Sequence, residues 1–340
     1  MHIQEIRNAA DWAALSTEWN GLLRESHNNV PFLTYEFQRA WWVQLGGGEW
    51  KTGELSILVG RSEAGSLIGI APLFSTKIDE KNILQFIGSH EIADFLDLIV
   101  RPQDHSVFAS AVMDHLAQAA IEWDKVELFN LVDQSRTISA LKQATERHGL
   151  TWNEETLQSS PFIYVPESFE DYLNLLDSKQ AHEVRRKLRR AERNLNLTSS
   201  EIVREPSKLD AALEDFFRLM GQESDKALFL KPAMKEQMTA IARAAFKAGW
   251  LQLFFLKSGD ARIAGYMNFD YDNCIWAYNA GFDNAYAELS PGWLIFAEMM
   301  KWSIENKRRI FDFMRGDEEY KYRFGGKDRF VKKIEIVKRN

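Results

Sequence analysis

The chain has 340 residues, a formal net charge of −7, 45% hydrophobic residues and 27% charged residues, values that suit two ordinary globular domains. Mild acidity argues against general nucleic-acid binding, which favours a strongly basic surface, and no apolar run approaches the roughly 20 residues of a bilayer span. Cys274 is the single cysteine, so an intramolecular disulfide is excluded; the seven histidines lack metal-ligand spacing, so no metal is expected.

The opening residues MHIQEIRNAADWAAL lack a basic segment followed by an apolar stretch, so they do not read as a signal peptide and a cytoplasmic location is expected. The first 45 residues read as helices: Trp12, Leu15, Trp19, Leu22 and Leu23 share one helical face, and a second helix runs to the Gly46-Gly47-Gly48 stop. LSILVG (55–60) and SLIGIAPLFS (66–75) flank the turn RSEAG as a hairpin. ILQFIG (83–88), DFLDLIV (94–100) and KVELFNLV (125–132) read as strands, with helices over 104–120 and 135–149. After a short strand FIYV, a helical stretch from about Phe169 to Leu197 carries Arg185, Arg186, Lys187, Arg189, Arg190 and Arg193. Helices over 207–221 and 232–248 then precede the strands LQLFFLKS (251–258), RIAGYMNFDY (262–271) and NCIWAYNAGF (273–282). A helix over 291–307 has Ser290 as N-cap and Pro291 at its first position. The strands RIFDFM (309–314) and VKKIEIVK (331–338) close the chain.

Residues 55–72 and 251–268 align without a gap, Gly69 meeting Gly265 196 residues on. Each is a strand, a polar turn and a strand with glycine in its second half, preceded by two helices. That order points to duplicated domains rather than a solenoid, whose periods are about 20–50 residues. The expected division is 1–165, a helical connector 166–199 with the basic helix, and 200–340.

Four constellations are candidates for chemistry. GDEEYKYRFGG (316–326) follows a strand, where open α/β sheets usually bind ligands. There Arg315 and Lys321 suit phosphate or carboxylate, Asp317, Glu318 and Glu319 are candidate bases, and Tyr320 or Tyr322 a proton donor; a solvated charged loop is the plainer alternative. Ser290-Pro291-Gly292 opens a helix, whose N-terminus suits an anion or is a simple cap. The basic helix 185–193 is a phosphate, RNA or acidic-partner surface, or a solvated face paired locally through Glu183 and Glu192. Asp94 and Asp97 flank Phe95 and Leu96 as a substrate-cleft pair or as structural carboxylates. Cys274, in a strand-like run, reads as a core residue.

The order strand, SPG, helix, strand and then D-F-M-R-G-D-E-E-Y-K-Y-R-F-G (312–325), with D-F-L-D-L (94–98) and R-R-K-L-R-R (185–190) upstream, resembles the CelD-type acetyltransferases of cellulose and exopolysaccharide biosynthesis. These are a branch of the GNAT superfamily related to the Fem peptidyltransferases. The resemblance implies an α/β (α+β) fold of tandem duplicated GNAT-like domains, each a mixed twisted sheet flanked by helices. It also implies acyl transfer, from acyl-CoA or acetyl-CoA as cosubstrate, to an amine or hydroxyl of a small-molecule or saccharide acceptor. Asp312, Arg315, Gly316, Glu318, Tyr320, Lys321 and Gly325 match the family motif. The superfamily's pyrophosphate loop, Arg/Gln-x-x-Gly-x-Gly/Ala, is absent; only Gly292 stands before the 291–307 helix. The mechanism expected is direct attack on a thioester lying at 290–293. Asp317 or Glu318 takes the acceptor's proton, a backbone N–H of a splayed strand meets the carbonyl oxygen, and Tyr320 protonates the thiolate. Arg315 and Lys321 are expected at the donor, and Asp94, Asp97, Arg186 and Asp312 at the substrate cleft. The alternatives are a Fem-type aminoacyl-tRNA-dependent transferase and a non-catalytic scaffold in polysaccharide assembly, with tRNA or acyl carrier protein as partner.

Overall fold

The computed structural model describes residues 1–88, 90–118, 122–193 and 197–338. It is a mixed α/β structure of twisted sheets flanked by helices, divided into two compact units: residues 1–158 with 329–340, and residues 159–328. The boundary at 165 and the separate connector at 166–199 are therefore corrected. Residues 166–193 belong to the second unit because Tyr172, Leu173, Ala181 and Val184 are buried in its core.

The first unit runs β1 (His2–Ile6), α1 (Ala9–Ala14), α2 (Ser16–Glu25), α3 (Tyr35–Gly48), β2 (Glu54–Leu55), β3 (Ile57–Arg61), β4 (Leu67–Ala71), β5 (Leu73–Ile78), β6 (Lys81–Phe86), β7 (Ile99–Val100), α4 (His105–Gln118), β8 (Lys125–Val132), α5 (Arg136–Arg147) and β9 (Thr151–Ser159). The expectation of helices alone before residue 45 missed β1, which pairs antiparallel with β3. The second expected hairpin strand is broken at Pro72, which has no N–H to give a ladder. One sheet has the order β1-β3-β4-β7.

In the second unit come β10 (Phe162–Tyr164), α6 (Phe169–Leu175), α7 (Ser178–Arg193), β11 (Leu197–Ile202), α8 (Pro206–Met220), α9 (Ser224–Phe229), α10 (Pro232–Ala248), β12 (Leu251–Ser258), β13 (Ala261–Tyr271), β14 (Cys274–Phe282), α11 (Pro291–Glu305), β15 (Ile310–Asp312) and α12 (Glu319–Arg323). Its sheet order is β10-β15-β14-β13-β12-β11. α8 and α10 pack on this sheet, and α11 contacts β12, β13 and β14 and is itself covered by α6 and α7. Burial between helices explains why β12 is a nearly continuous apolar run, LQLFFLKS, rather than an alternating one. Its one buried polar residue, Gln252, accepts from Asn268 Nδ2 on β13 at 2.9 Å. Cys274 is buried, as a core residue would be.

The last strand, β16 (Phe330–Val337), follows the second unit in sequence yet belongs to the first, where it pairs antiparallel with β8 in the sheet β2-β5-β6-β8-β16-β9. Conversely β10, which follows the first unit's helices and strands, pairs with β15 of the second. The expectation that 200–340 forms one domain is corrected accordingly.

The duplication is visible in the sheets. In each unit a hairpin leads to another antiparallel strand, then to a helix and a strand parallel to the one before it: β6-α4-β8 and β14-α11-β15. The matched glycines serve different neighbours. Gly69 pairs with Gly60, and a Cβ on Gly69 would stand 2.5 Å from the Phe108 ring, so two facing glycines let that ring lie on the sheet. Gly265 pairs instead with Phe255.

The strand expected at 94–100 shrinks to Ile99–Val100 because its backbone bonds elsewhere. Leu96 N–H donates to Asn130 O at 3.0 Å, and Leu98 N–H donates to the Asp97 carboxylate at 2.8 Å. Ile92, Ala93, Phe95 and Leu96 are buried, and Asn130 Nδ2 donates to Ala93 O at 2.7 Å. This segment therefore packs inside the first unit, beside the point where β6 and β8 end their pairing at Leu84 and Val126.

Nearby, His90 places Nδ1 3.0 Å from Glu49 Oε1 and Nε2 3.0 Å from Glu91 Oε1. The hydrogen bond its ring donates to Glu49, then the one it donates to Glu91, pushes its pKa up to about 9. A histidine stabilised in its charged form contributes fully below about pH 6.5, and its contribution fades as pH rises through the folded value. The stability of the wild type is expected to fall between about pH 6.5 and 9 more than that of His90→Gln. The difference stays below about 1 kcal/mol because the ring is half exposed. Identical Tm profiles over that range in the two proteins would sink the assignment.

Candidate active site

The site is built where two neighbouring parallel strands part. β14 and β15 pair only over Cys274–Trp276 and Ile310–Asp312, while β14 continues to Phe282. Against β13, Met267 faces Asn279 and Asn268 faces Ala277. Tyr278 is thus an additional residue, a bulge that re-aims the backbone next to the parting strands.

β15 stops for a local reason. The Asp312 carboxylate, fully buried, accepts the Met314 N–H at 2.9 Å, an Asx-type turn, and Met314 sits in the left-handed region at φ 64°. The chain then loops through Gly316, at φ +114°. A Cβ there would lie 2.9 Å from Glu318 Cδ and nearer still to its Oε2, so glycine lets the Glu318 carboxylate fold over the backbone. Lys321 is 2% exposed; its ammonium donates to the carbonyls of Met314 at 3.2 Å, Arg315 at 2.6 Å and Gly316 at 3.3 Å and is 2.8 Å from Glu318 Oε2. The expectation that Lys321 holds donor phosphate is corrected: its hydrogen atoms are committed to shaping the loop. Asp312 is corrected in the same sense, from cleft residue to turn former. Arg315 is half-buried in that loop and Asp317 exposed on it.

Tyr320 begins the next turn, α12. Its ring meets Phe313 and Phe324 edge-on at 6.4 and 6.2 Å. The residue keeps 40% of its surface exposed, but its hydroxyl end is enclosed. Burial first, then the nearby Tyr266 phenol and the Glu318 and Glu223 carboxylates, raise its pKa well above the usual tyrosine value. Tyr266, fully inside, is raised by burial and by Glu318 as well. The Asp317 charge is felt instead at Tyr322, whose hydroxyl bonds Ser159 at 3.1 Å and Asp328 at 2.7 Å.

At the start of α11, Ser290 adopts φ 55° and ψ 55° and makes no side-chain hydrogen bond to the helix, so the expected cap is not of the ordinary kind. Its carbonyl accepts from Trp293 and Leu294 N–H at 3.0 and 3.3 Å. Its hydroxyl accepts from Lys187 Nζ at 2.7 Å. Gly292 lies against Phe282, where a Cβ would fit at 3.4 Å. Lys187 lies over the Trp293 ring, 5.2 Å from its centroid. Beside them is a cleft of about 770 Å³ lined by Lys179, His182, Glu183, Lys187, Trp293 and Arg323 among others.

The remaining expected residues fall elsewhere. Arg186 forms a two-point pair with Glu183 of its own helix, at 2.8 and 2.7 Å, and that pairing holds Glu183 down to about 2. Arg185 pairs with Glu170. The side chains of Glu192 and Arg193 lie outside the described residues. Asp94 and Asp97 are both buried in the first unit. Asp97 accepts from Ser135 Oγ at 2.6 Å, from Leu98 N–H and from Asn28 Nδ2, a hub that pins three segments, and burial raises its pKa. Its expected place in a substrate cleft is corrected to a structural one. Among the described residues no group of three or more His, Cys, Asp or Glu side chains is placed to hold a metal ion, and no helix is long and apolar enough to cross a membrane.

Residues 178–322, a stretch of the second unit, match the family described as "Acetyltransferase (GNAT) domain". No curated protein matches the chain. Among solved structures, it is similar to FemX with TM-score 0.67 and 11% identity, over 97% of each chain. A conserved protein of unknown function from Bacteroides thetaiotaomicron gives TM-score 0.60 and 11% identity over 99% of this chain and 100% of that one. The C-terminal domain of a putative lysylphosphatidylglycerol synthetase from Agrobacterium fabrum gives 0.56 and 12% over 96% and 92%. These likenesses establish a shared fold, and the family match supports acyl transfer in general.

Proposed function

We propose that the chain is a CelD-type acyltransferase that moves an acyl group from acyl-CoA, acetyl-CoA in the simplest case, to an amine or hydroxyl of a saccharide or other small acceptor in the cytoplasm. The observation that carries this reading is the parting of β14 from β15 beyond Trp276, with the Tyr278 bulge on one side and Tyr320 and Glu318 on the other, inside the matched domain.

The thioester lies between the two strands with its carbonyl oxygen toward the re-aimed backbone of the bulge, whose N–H groups oppose developing negative charge. The acceptor's nitrogen or oxygen attacks the carbonyl carbon and passes its proton to Glu318. The carbon–sulfur bond breaks, and Tyr320 supplies a proton to the departing thiolate. Glu318 is favoured over Asp317 as base because its charge reaches both Tyr266 and Tyr320. Glu318→Gln is expected to lower kcat about 100-fold, the range for losing a general base, and Asp317→Asn to leave it near wild type. Acyl transfer from acetyl-CoA to a panel of amines and amino sugars, followed by mass spectrometry, measures both. Full kcat in both variants would put the base elsewhere.

A second reading, transfer from aminoacyl-tRNA as in the Fem peptidyltransferases, draws on the basic face of α7. Arg185 and Arg186 of that face already meet Glu170 and Glu183, which favours the small donor. A tRNA donor predicts binding that weakens steeply with salt. Scaffold function without catalysis predicts no thermal shift with any acyl donor.

A further inference from the structure

We propose that the outer face of α7 is a docking surface for an acidic acyl carrier protein, which brings the acyl group on a phosphopantetheine arm. This rests on the acyl-transfer reading and names the donor's carrier, acyl-CoA being the free form of the same pantetheine thioester.

α7 is divided lengthwise. Ala181 and Val184 are buried in the core of the second unit, and Leu188 and Ala191 pack against it, at steps of three and four residues that define one helical face. The opposite face carries Lys179, His182, Arg186, Arg189 and Arg190 at similar steps, all of them exposed. Among the described residues no carboxylate pairs with Lys179, Arg189 or Arg190. Arg189 donates only to the Arg185 carbonyl, at 3.3 Å. Arg186 is matched by Glu183, at 2.8 and 2.7 Å, yet it stands three and four residues from Arg189 and Arg190. Like charges at that spacing repel by about 0.2–0.5 kcal/mol a pair. In a chain of net charge −7 this is a local concentration of positive charge, and an acidic surface laid on it relieves the repulsion.

The shape of the stripe selects the occupant. From Lys179 to Arg190 it extends about 16 Å at about 1.5 Å per residue, three turns long and one helix wide, which suits a single helix of a small acidic protein. RNA needs many simultaneous phosphate contacts over a broader basic surface, and here Glu170 and Glu183 border the stripe through their pairs with Arg185 and Arg186. A membrane is not served either, because the apolar face of α7 is already covered. Position points the same way. α7 packs on α11, and Lys187 of the same helix reaches Ser290 at the start of α11 at 2.7 Å, so a protein docked on α7 lies beside the helix that links the parting strands. The chain lacks the glycine-rich pyrophosphate loop; a carrier replaces that grip with protein surface.

Fluorescence anisotropy of a labelled bacterial holo acyl carrier protein, titrated with the full chain, tests this. Binding is expected to weaken at least about tenfold between about 0.05 and 0.5 M salt. Arg189→Glu combined with Arg190→Glu is expected to weaken it at least about tenfold, because like charges then meet across the interface. Lys247→Glu, on the exposed side of α10, is expected to change nothing. No binding by the wild type, equal binding by the double variant, or equal weakening by Lys247→Glu overturns the proposal. So does binding of bulk tRNA, lost in the double variant, where the carrier does not bind. Should the double variant not fold, the wild type alone decides, and salt-insensitive binding overturns the proposal. Failure here is separable from failure of the acyl-transfer reading. If acetyl-CoA donates its acyl group but the carrier does not bind, acyl transfer stands and the docking surface falls. If the carrier binds through Arg189 and Arg190 but neither acetylated carrier nor acetyl-CoA donates, the surface stands and the activity falls.

Discussion

Tyr320→Phe is expected to lower kcat for acyl transfer by roughly 100-fold, with little change in the KM for the donor and little change in Tm. The substitution removes one oxygen and keeps the ring, so the edge contacts to Phe313 and Phe324 survive. What is lost is the hydroxyl that lies near Tyr266, Glu318 and Glu223. Burial and the negative groups disfavour its phenolate, so the proton stays on the oxygen throughout the pH range in which enzymes normally work, and no limb of the pH–rate profile belongs to this residue. A group that always carries its proton cannot be the base; it can donate to sulfur as the carbon–sulfur bond breaks. Such an interaction is made in the transition state and not with the resting thioester, so the loss falls on kcat. Steady-state kinetics beside a thermal melt decides the matter. A Phe variant with kcat within threefold of wild type would reduce Tyr320 to a packing residue.

The largest effect on stability is expected from Gly281→Ala. Gly281 lies on β14, opposite Gly265 on β13. A Cβ there would stand 2.6 Å from Met220 Cα, and closer to Met220 N and Leu219 C. All of these are backbone atoms at the end of α8, which cannot swing aside as a flexible side chain does. To admit one methyl group the helix must lift from the sheet, and Leu219 and Met220, both buried, lose their packing. Overpacking a well-filled core costs about 1–3 kcal/mol and more where backbone must move, so a loss of about 3 kcal/mol or above is expected in chemical denaturation. The displaced helix end is followed by Glu223, so activity is expected to fall as well. Gly292→Ala is the control: its Cβ would make ordinary contact with Phe282 at 3.4 Å. Comparable midpoints for the two variants would show that α8 is not locked to β14 as described.

The periodic parts of the fold were legible in the sequence. α8 and α11 announce themselves by apolar spacing and by proline at the first position, and β12 to β14 by apolar runs between turn residues. β9 was not, because it is polar and largely exposed on both faces, so it shows no alternation. The strand expected at 94–98 failed because side chains and a distant carbonyl satisfy its backbone, which no local pattern reveals. Of the candidate site, the stretch 312–325 stands out in the sequence as a unit, yet its roles were read from charge alone. Lys321 looked like a phosphate ligand, whereas its burial and its three carbonyl partners make it part of the scaffold. Lys187 was seen only as one member of a basic run. Its distinction comes from Ser290, 103 residues away, a separation that periodicity cannot bridge. Tyr266 and Glu223 carry no sequence signal beyond lying in a strand and after a helix.

The return of β16 to the first unit has a consequence for how the chain is made. β16 stands between β8 and β9 in its sheet, so until Phe330–Val337 have left the ribosome the first unit lacks the strand that joins β9 to the rest. That unit therefore completes its sheet only after the second has been made, and the nascent chain carries an open edge throughout synthesis of residues 159–328. Cutting the gene after residue 158 would leave the first unit without β16, whereas residues 159–328 keep all six strands of their own sheet.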